Sequence, residues 1–432
     1  MPPLGSKLPG RDRISHEMHG RLLVLSNGHG EDLIALRLID ALHRRCPSLE
    51  IAVLPLVGEG SAFAAAEQAG ALRRIGPRRH LPSGGFSNQS LRGLLADLFA
   101  GVLGLSWRQW RLVRRWGRGG DPVLAVGDLL PLLMAWGSGA RFGFIGTPKS
   151  DYTWASGPGS PGLPACYHRL KGSEWDPWEW ALMASRRCRL VALRDRLTAR
   201  GLRRHGVAAL APGNPMMDGL EGDSLPEVLQ AHRRAVLLGG SRMPEALGNL
   251  RRLLEALAQL QEQGPQPLLL LAPTGSRPAP EEWAPLLSSL GYRPASIPPG
   301  SGAAAAWRCG SRLLLIGSGR FAAWAHWGEL GLTAAGTATE QLVGLGIPAL
   351  SLPGPGPQFK LGFAQRQSRL LGGSVRVCRT PAELARQLER LLHDPPLRQQ
   401  LGAIGRRRMG PPGGSAVLAA LVERRLLDGA AG

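Results

Sequence analysis

Residues 329–353 read ELGLTAAGTATEQLVGLGIPALSLP. A short apolar run ends in the small residues Ala334–Thr337, and a helical pattern follows them. A second apolar run, Ile347–Leu352, comes after Gly346. This order predicts a strand, a tight turn, a helix and another strand, which is the repeating unit of a parallel sheet.

The turn in this stretch carries almost no side-chain bulk. The backbone N–H groups that open the helix are therefore able to approach a phosphate group closely. Glu340 follows about one turn into the helix, near where a ribose joined to that phosphate would lie. An ordinary βαβ connection has the same small residues, so these residues alone leave two interpretations open, a nucleotide site and a plain turn.

Short apolar runs alternate with helical patterns on both sides of a Pro- and Gly-containing stretch at 211–226. This alternation predicts an α/β protein with two doubly wound, Rossmann-like domains that face each other across a cleft. We expect a disordered segment at 1–18, a first domain at 19–215, a second domain at 216–395 and a helical segment at 396–432 that packs back on the first domain. The predicted buried strands are Leu22–Leu25, Ile51–Leu56, Val123–Val126, Phe142–Ile145, Leu190–Leu193, Val236–Leu238, Leu268–Ala272 and Leu313–Ile316, and an arginine-rich helix is predicted at Arg194–His205.

The composition is that of a folded protein with a strong positive charge. The chain has 432 residues and a formal charge of +20, and all but four of its 52 basic residues are arginine. Such a charge favours anionic partners, but no nucleic-acid-binding motif accompanies it, so we expect no nucleic acid partner. The five cysteines lack metal-ligand spacing and no apolar run is long enough to cross a membrane, so we expect a cytoplasmic protein without a metal site.

Four segments in order resemble GT-B glycosyltransferases, and more narrowly lipid-A-disaccharide synthase and the cyanobacterial-type proteins related to it. They are Ser26–Asp32, Gly213-Asn214-Pro215, Val236–Arg242 and Gly336–Gln341 with Gly346-Ile347-Pro348 behind it. The resemblance implies an inverting enzyme that moves a sugar, of the GlcNAc type, from a UDP-sugar to a lipid-linked acceptor, without a metal or other cofactor. The acceptor would bind to the first domain and the UDP-sugar to the second.

The same resemblance assigns a set of donor-binding residues in the second domain. Backbone amides at Gly240, Ser241, Gly336 and Thr337 would meet the diphosphate, and Arg242 would add positive charge. Glu340 would accept hydrogen bonds from the ribose, with Gln341 beside it. Polar side chains at Gln358 and Gln365 would bind the sugar hydroxyls, although both are equally typical of an exposed helix surface.

On the acceptor side, Asp128 follows a predicted strand and matches the position of an essential aspartate in the synthases. It is a candidate base for the acceptor hydroxyl, but a helix N-cap is the alternative interpretation. The following Leu129-Leu130-Pro131 departs from the Ala-Pro-Asp of the synthases. His29 is the second candidate base, on a glycine-rich loop whose Asn27, Gly28, Gly30 and Glu31 would face the acceptor.

Leu91–Trp116 is apolar and aromatic, with arginines interleaved in its second half. Tryptophan and arginine at one end of a helix are typical of a lipid–water interface, so we expect peripheral contact with the anionic inner face of a membrane. A core helix with a solvated arginine-rich end is the alternative. A second cluster, Trp175, Trp178 and Trp180, fits either an acceptor cover or core packing.

Other functions stay open on the sequence alone. The acceptor could instead be diacylglycerol or a polyprenyl lipid. The departure after Asp128 also fits a non-catalytic protein that binds a nucleotide sugar. A sugar 2-epimerase shares the architecture but needs no lipid-facing helix.

Overall fold

The computed structural model describes residues 20–77, 102–159, 163–260, 266–275, 277–354, 356 and 359–428. The expected disordered segment at 1–18 and the first part of the Leu91–Trp116 stretch lie outside these residues, as does Gln358.

Within the described ranges, strands and helices alternate along most of the chain. The strands are β1 Arg21–Ser26, β2 Glu50–Pro55, β3 Arg73–Arg74, β4 Val123–Gly127, β5 Phe142–Gly146, β6 Cys188–Leu193, β7 Ala209–Leu210, β8 Arg233–Leu238, β9 Leu268–Thr274, β10 Arg293–Pro294, β11 Ala305–Cys309, β12 Arg312–Ser318, β13 Leu330–Thr333, β14 Ala349–Ser351 and β15 Val375–Val377.

The α-helices are α1 His29–Arg45, α2 Ala64–Gln68, α3 Val102–Arg118, α4 Leu129–Gly137, α5 Tyr152–Ala155, α6 Leu163–Lys171, α7 Pro177–Met183, α8 Arg196–Arg203, α9 Glu245–Ala258, α10 Pro280–Ser289, α11 Phe321–Trp327, α12 Thr337–Gly344, α13 Leu361–Leu370, α14 Pro381–His393, α15 Pro395–Met409 and α16 Gly414–Val422. Short 3-10 turns at Ser61–Phe63, Pro215–Met217 and Glu227–Leu229 and a π turn at Glu423–Leu427 complete the described elements.

The first sheet joins seven strands of the described residues in the order β3-β2-β1-β4-β5-β6-β7, all parallel. Its central strands are buried on both faces, as their continuous apolar sequences require. The strand order reverses between β1 and β4. Ligands of such sheets bind beyond the carboxyl ends of the strands at this reversal point.

The second sheet has the order β10-β11-β12-β9-β8-β13-β14-β15 in the described residues, and it is parallel except at one edge. Its reversal point lies between β8 and β13, the two strands that precede the glycine-containing turns found in the sequence. The antiparallel edge formed by β10 and β11 was not predicted. These strands are only partly buried and their sequences lack a long apolar run.

The C-terminal helix α16 packs against α1 of the first sheet. Leu418 and Val422 share a buried cluster with Leu38 and Leu42. Gly414 lies so close to the backbone of Asn214 that a Cβ there would come within 2.8 Å of it. The chain therefore crosses back to the first sheet after completing the second.

The two sheets are also joined by arginines of α13. Arg369 is almost fully buried and donates hydrogen bonds to the carbonyl groups of Thr153 at 2.7 Å and Gly159 at 2.8 Å. Arg366 forms an ion pair with the buried Glu174. These contacts hold the carboxyl ends of the two sheets toward each other.

Candidate active site

The glycine-containing turns at the two reversal points face each other. Gly28 ends the turn after β1 with a φ of 112°, a conformation that favours glycine, and α1 begins at the next residue. A Cβ at Gly30 would lie 3.3 Å from the Thr337 Oγ1 atom of the second sheet. The start of α1 therefore lies close to the start of α12, across the junction between the two sheets.

The turn before α12 is held in place by polar contacts. The Ala334 N–H donates to the Leu238 carbonyl at 2.8 Å, which joins the ends of β13 and β8. Thr339 Oγ1 donates to the Ala335 carbonyl at 2.7 Å, and Gln367 Nε2 donates to the Gly336 carbonyl at 3.0 Å. Thr339 and Gln367 fix the turn by bonding to its carbonyl groups. The first N–H groups of α12 are not used in these bonds, and an α-helix leaves such groups without internal partners.

Gly240, Ser241 and Arg242 follow β8 and lie next to this turn. A Cβ at Gly240 would be 3.6 Å from the Ala334 carbonyl, and Gly240 has a φ of 93°. Ser241 is exposed and Arg242 is partly buried. Burial lowers the pKa of Arg242, and Glu245 opposes this effect. The structure thus brings the predicted diphosphate residues of both turns together at one reversal point.

The predicted ribose and sugar residues have different surroundings. Glu340 forms an ion pair of 2.7 Å with Arg194 of the first sheet. Gln341 is buried, and its Nε2 donates to the Met216 carbonyl at 2.9 Å. Gln365 is exposed on α13, and Gln358 lies outside the described residues.

Asp128 caps α4 and also faces the junction. Its Oδ1 accepts hydrogen bonds from the Leu130 N–H at 3.2 Å and from Asn27 Nδ2 at 2.8 Å. Burial raises the pKa of Asp128, while the Leu130 bond and the charge of Lys149 lower it. Asp128 therefore caps α4 and also lies beside the glycine-rich loop.

Glu31 lies on the first turn of α1, next to Asp128. Its Oε1 accepts a hydrogen bond from Thr147 Oγ1 at 3.3 Å. Burial raises the pKa of Glu31 to about 7, and the charge of Asp128 adds to this rise. His29 begins α1, and its side chain lies outside the described part of the chain.

Arg194 is a site residue that the sequence interpretation missed. The predicted helix Arg194–His205 begins instead at Arg196, because Asp195 caps it by accepting a hydrogen bond from the Thr198 N–H at 2.8 Å. Arg194 is thereby left in the turn after β6. From there it donates to Glu340 and to the Thr147 carbonyl at 3.3 Å, so it connects the donor-side and acceptor-side residues.

The tryptophans of the proposed membrane segment divide between core and surface. Trp110 packs against α4, where a Cβ at Gly137 would overlap its indole ring. Trp116 donates its indole N–H to the Pro122 carbonyl at 3.3 Å. Trp107 is 62% exposed. One face of α3 is thus core packing, and Trp107 lies on the other.

The second tryptophan cluster divides in the same way. Trp175 is fully buried with its ring edge-on to Phe144, and Trp180 stacks on His205 with ring centroids 3.6 Å apart. Trp178 is 56% exposed. In the part of the chain that the structure describes, no helix is long and apolar enough to span a membrane, and no group of three or more metal-ligating side chains is gathered.

Neither a family model nor a curated protein sequence matches the chain. Solved structures do resemble it over nearly its full length. The UDP complex of MnaA from S. aureus is 14% identical with a TM-score of 0.57, covering 94% of this chain and 97% of its own. The calicheamicin glycosyltransferase CalG4 is 16% identical with a TM-score of 0.56, covering 96% and 100%. MurG from Acinetobacter baumannii is 16% identical with a TM-score of 0.51, covering 94% and 99%. The chain has the GT-B fold.

This fold confirms the predicted α/β class with two Rossmann-like domains. At these identities the similarity establishes architecture. The residue assignments rest on the geometry of the site.

Proposed function

We propose that the chain is a glycosyltransferase that moves a sugar from a UDP-sugar to a lipid-linked acceptor. The observation that carries the proposal is the pair of turns at the two reversal points, with Gly30 and Thr337 close to each other across the junction. A donor bound to one turn would then present its reacting carbon to groups on the other.

The second sheet offers the features that a nucleoside diphosphate needs. The start of α12 and the turn after β8 supply backbone N–H groups, and Arg242 supplies positive charge. Glu340 lies one turn along α12, within reach of a ribose. MnaA, which shares the fold, was solved with UDP. Helix starts and arginine would stabilise the leaving diphosphate without a metal.

The first sheet would hold the acceptor. Carboxylates gather at its reversal point, where a base would remove the acceptor proton and the sugar would transfer with inversion. Asp128 and His29 are the base candidates that the sequence suggests. Trp107, with the arginines of α3, offers an exposed face for an anionic membrane surface from which a lipid acceptor would enter. A GlcNAc-type sugar is the donor that the motif resemblance favours, and a lipid A precursor is the corresponding acceptor.

A transfer assay tests the proposal. Purified protein is incubated with radiolabelled UDP-GlcNAc and a membrane lipid extract, and the label in the organic phase is counted. We expect label in a lipid product, and a loss of at least about tenfold in Glu340→Gln. The exposed Glu389→Gln on α14 is the matched control and should retain full activity.

Mass spectrometry of the product identifies the acceptor as a lipid A precursor, a diacylglycerol or a polyprenyl lipid. Conversion of the UDP-sugar without lipid labelling would contradict the proposal in favour of an epimerase. Full activity in Glu340→Gln would contradict the placement of the donor.

A further inference from the structure

Two carboxylates at the first reversal point have different surroundings. Asp128 accepts bonds from Asn27 and Leu130 on the same oxygen, and Lys149 faces it electrostatically. These contacts favour its ionised form and fix it as the cap of α4. Burial raises the pKa of Asp128, but the oxygen that bonds to Asn27 and Leu130 is committed to the cap of α4, so Asp128 is the more constrained carboxylate of the two.

Glu31 is placed to accept a proton. It follows Gly30, which lies beside Thr337 at the start of α12, and its carboxylate is oriented by Thr147. A Cβ at Gly127 would be 3.5 Å from the Glu31 Cγ atom, so the side chain lies against the turn that carries Asp128. Glu31 therefore directly follows the residue that lies beside the donor turn, and its own side chain packs next to the turn of Asp128.

Building on the proposed function, we propose that Glu31 is the general base of the transfer and that Asp128 is a positioning residue beside it. The Glu31 carboxylate takes the proton of the acceptor hydroxyl. The acceptor oxygen forms its bond to the anomeric carbon as the bond from that carbon to the β-phosphate oxygen breaks. UDP leaves with that electron pair, and Glu31 later releases the proton to water.

The charges around Glu31 suit this role. Burial is the main cause that raises its pKa to about 7, and Asp128 and Asp32 raise it further. The hydrogen bond from Thr147 lowers it, and Arg194 faces it from the turn after β6. A base works best when its pKa is close to the working pH, because it then combines proton affinity with an ionised population.

The pH dependence of kcat/KM, measured with UDP-GlcNAc and the membrane lipid extract, tests the assignment. In the wild type, we expect kcat/KM to rise with pH through about 7 and then to level off, since the base must be ionised. Glu31→Gln should lower the plateau by about 10²- to 10⁴-fold and abolish the rise.

Substitutions at two neighbours of Glu31 should shift the pH at which kcat/KM rises, in opposite directions. Asp128→Asn removes a negative charge beside Glu31 but keeps a good helix cap, so the rise should shift to lower pH. Thr147→Val removes a hydrogen bond to the ionised carboxylate, so the rise should shift to higher pH. Thr147→Ser keeps the hydroxyl group, so its kcat/KM should rise at the same pH as in the wild type.

Calorimetric titration with UDP is the control, and we expect Glu31→Gln to bind the donor nucleotide like the wild type, which also shows that it folds. A Glu31→Gln variant with wild-type kcat/KM and an unchanged rise would overturn the inference alone. A rise that survives in Glu31→Gln but disappears in His29→Ala would assign the base to His29 and overturn it as well. A wild-type protein that transfers no sugar from any UDP-sugar would overturn the proposed function, and the inference with it.

Discussion

The contact between Arg194 and Glu340 joins the two domains at the scale of single residues. Their side chains are 7% and 14% exposed and lie 2.7 Å apart. A buried charge that loses its partner is costly, because neither water nor an opposite charge compensates it. The pair therefore matters for stability because the loss of one side chain would leave the other charge buried and unpaired.

We expect Arg194→Met to lower the free energy of unfolding by about 3 kcal/mol, measured by urea denaturation. Glu340→Met should cost a similar amount, because it leaves Arg194 buried without its carboxylate. The double variant Arg194→Met/Glu340→Met should recover much of the loss. Additive losses in the double variant would show that the two side chains do not interact in solution.

Asp151 gives a residue-scale prediction about pH. It is 1% exposed, and its Oδ1 accepts a hydrogen bond from the Glu174 N–H at 2.7 Å. Burial raises its pKa to about 7 from an ordinary value of 3.8, and Asp195 adds to the rise. The folded state then binds more protons than the unfolded state between these values, so its contribution to stability falls as pH rises through this window.

Replacing Asp151 by Asn removes this titration. The difference in Tm between pH 5 and pH 8 should therefore become smaller in Asp151→Asn than in the wild type, with the gain in Tm at pH 8. Asp40→Asn, at an exposed position of α1, is the control and should leave the difference unchanged. An undiminished difference in Asp151→Asn would contradict the assignment.

At the scale of elements, helix α3 packs one face against the core and exposes the other to solvent. Trp110 belongs to the interface with α4, whereas Trp107 is exposed. Trp110→Ala should lower the free energy of unfolding by about 3 kcal/mol because it leaves a cavity, and Trp107→Ala should change it by less than about 0.5 kcal/mol.

Trp107→Ala also tests the proposed membrane-binding face of α3. Trp107→Ala should bind less well to vesicles that contain anionic phospholipid in a flotation assay, while vesicles of neutral lipid should bind neither protein well. Equal binding of Trp107→Ala and the wild type to anionic vesicles would remove this helix from the proposed membrane contact.

The sequence was sufficient for the elements with a strong local signal. The buried strands of both sheets are continuous apolar runs, and each was predicted within a few residues. The edge strand β10 and its neighbour β11 were missed because partly buried strands leave a weaker pattern. The start of α8 was placed two residues early because Asp195 is a cap whose role depends on where the strand before it ends.

At the scale of the whole molecule, the sequence indicated two domains but not how they meet. The turns after β8 and β13 are recognisable in the sequence because their small residues are required by the turns themselves and not by contacts with the other domain. Arg194, Arg366 and Arg369 act between domains. In a chain so rich in arginine, nothing local separates these residues from solvated ones.

The candidate site was therefore only partly predictable. Its glycines were visible in the sequence, and so was the position of Asp128 after a strand. The role inferred for Glu31 depends on burial and on the approach of Asp128 and Thr147 from two other strands, which are tertiary facts. The pairing of Glu340 with Arg194 is of the same kind.

Calorimetric titration with UDP is the sharpest test of whether the nucleotide binds at the turn before α12. Gly336 is the N-cap of α12, and a Cβ there would meet only Phe363, at 3.7 Å, within the described residues. Gly336→Asp should therefore fold, since aspartate caps helices well, while its carboxylate repels the diphosphate. Gly248→Asp, at an exposed position of α9 with nothing described within 4 Å of its Cβ, is the matched control.

We predict one UDP bound per chain in the wild type and in Gly248→Asp, and binding at least about tenfold weaker in Gly336→Asp, a change of about 1.4 kcal/mol. No binding of UDP to the wild type, or equal binding by Gly336→Asp, would show that UDP does not bind at this turn.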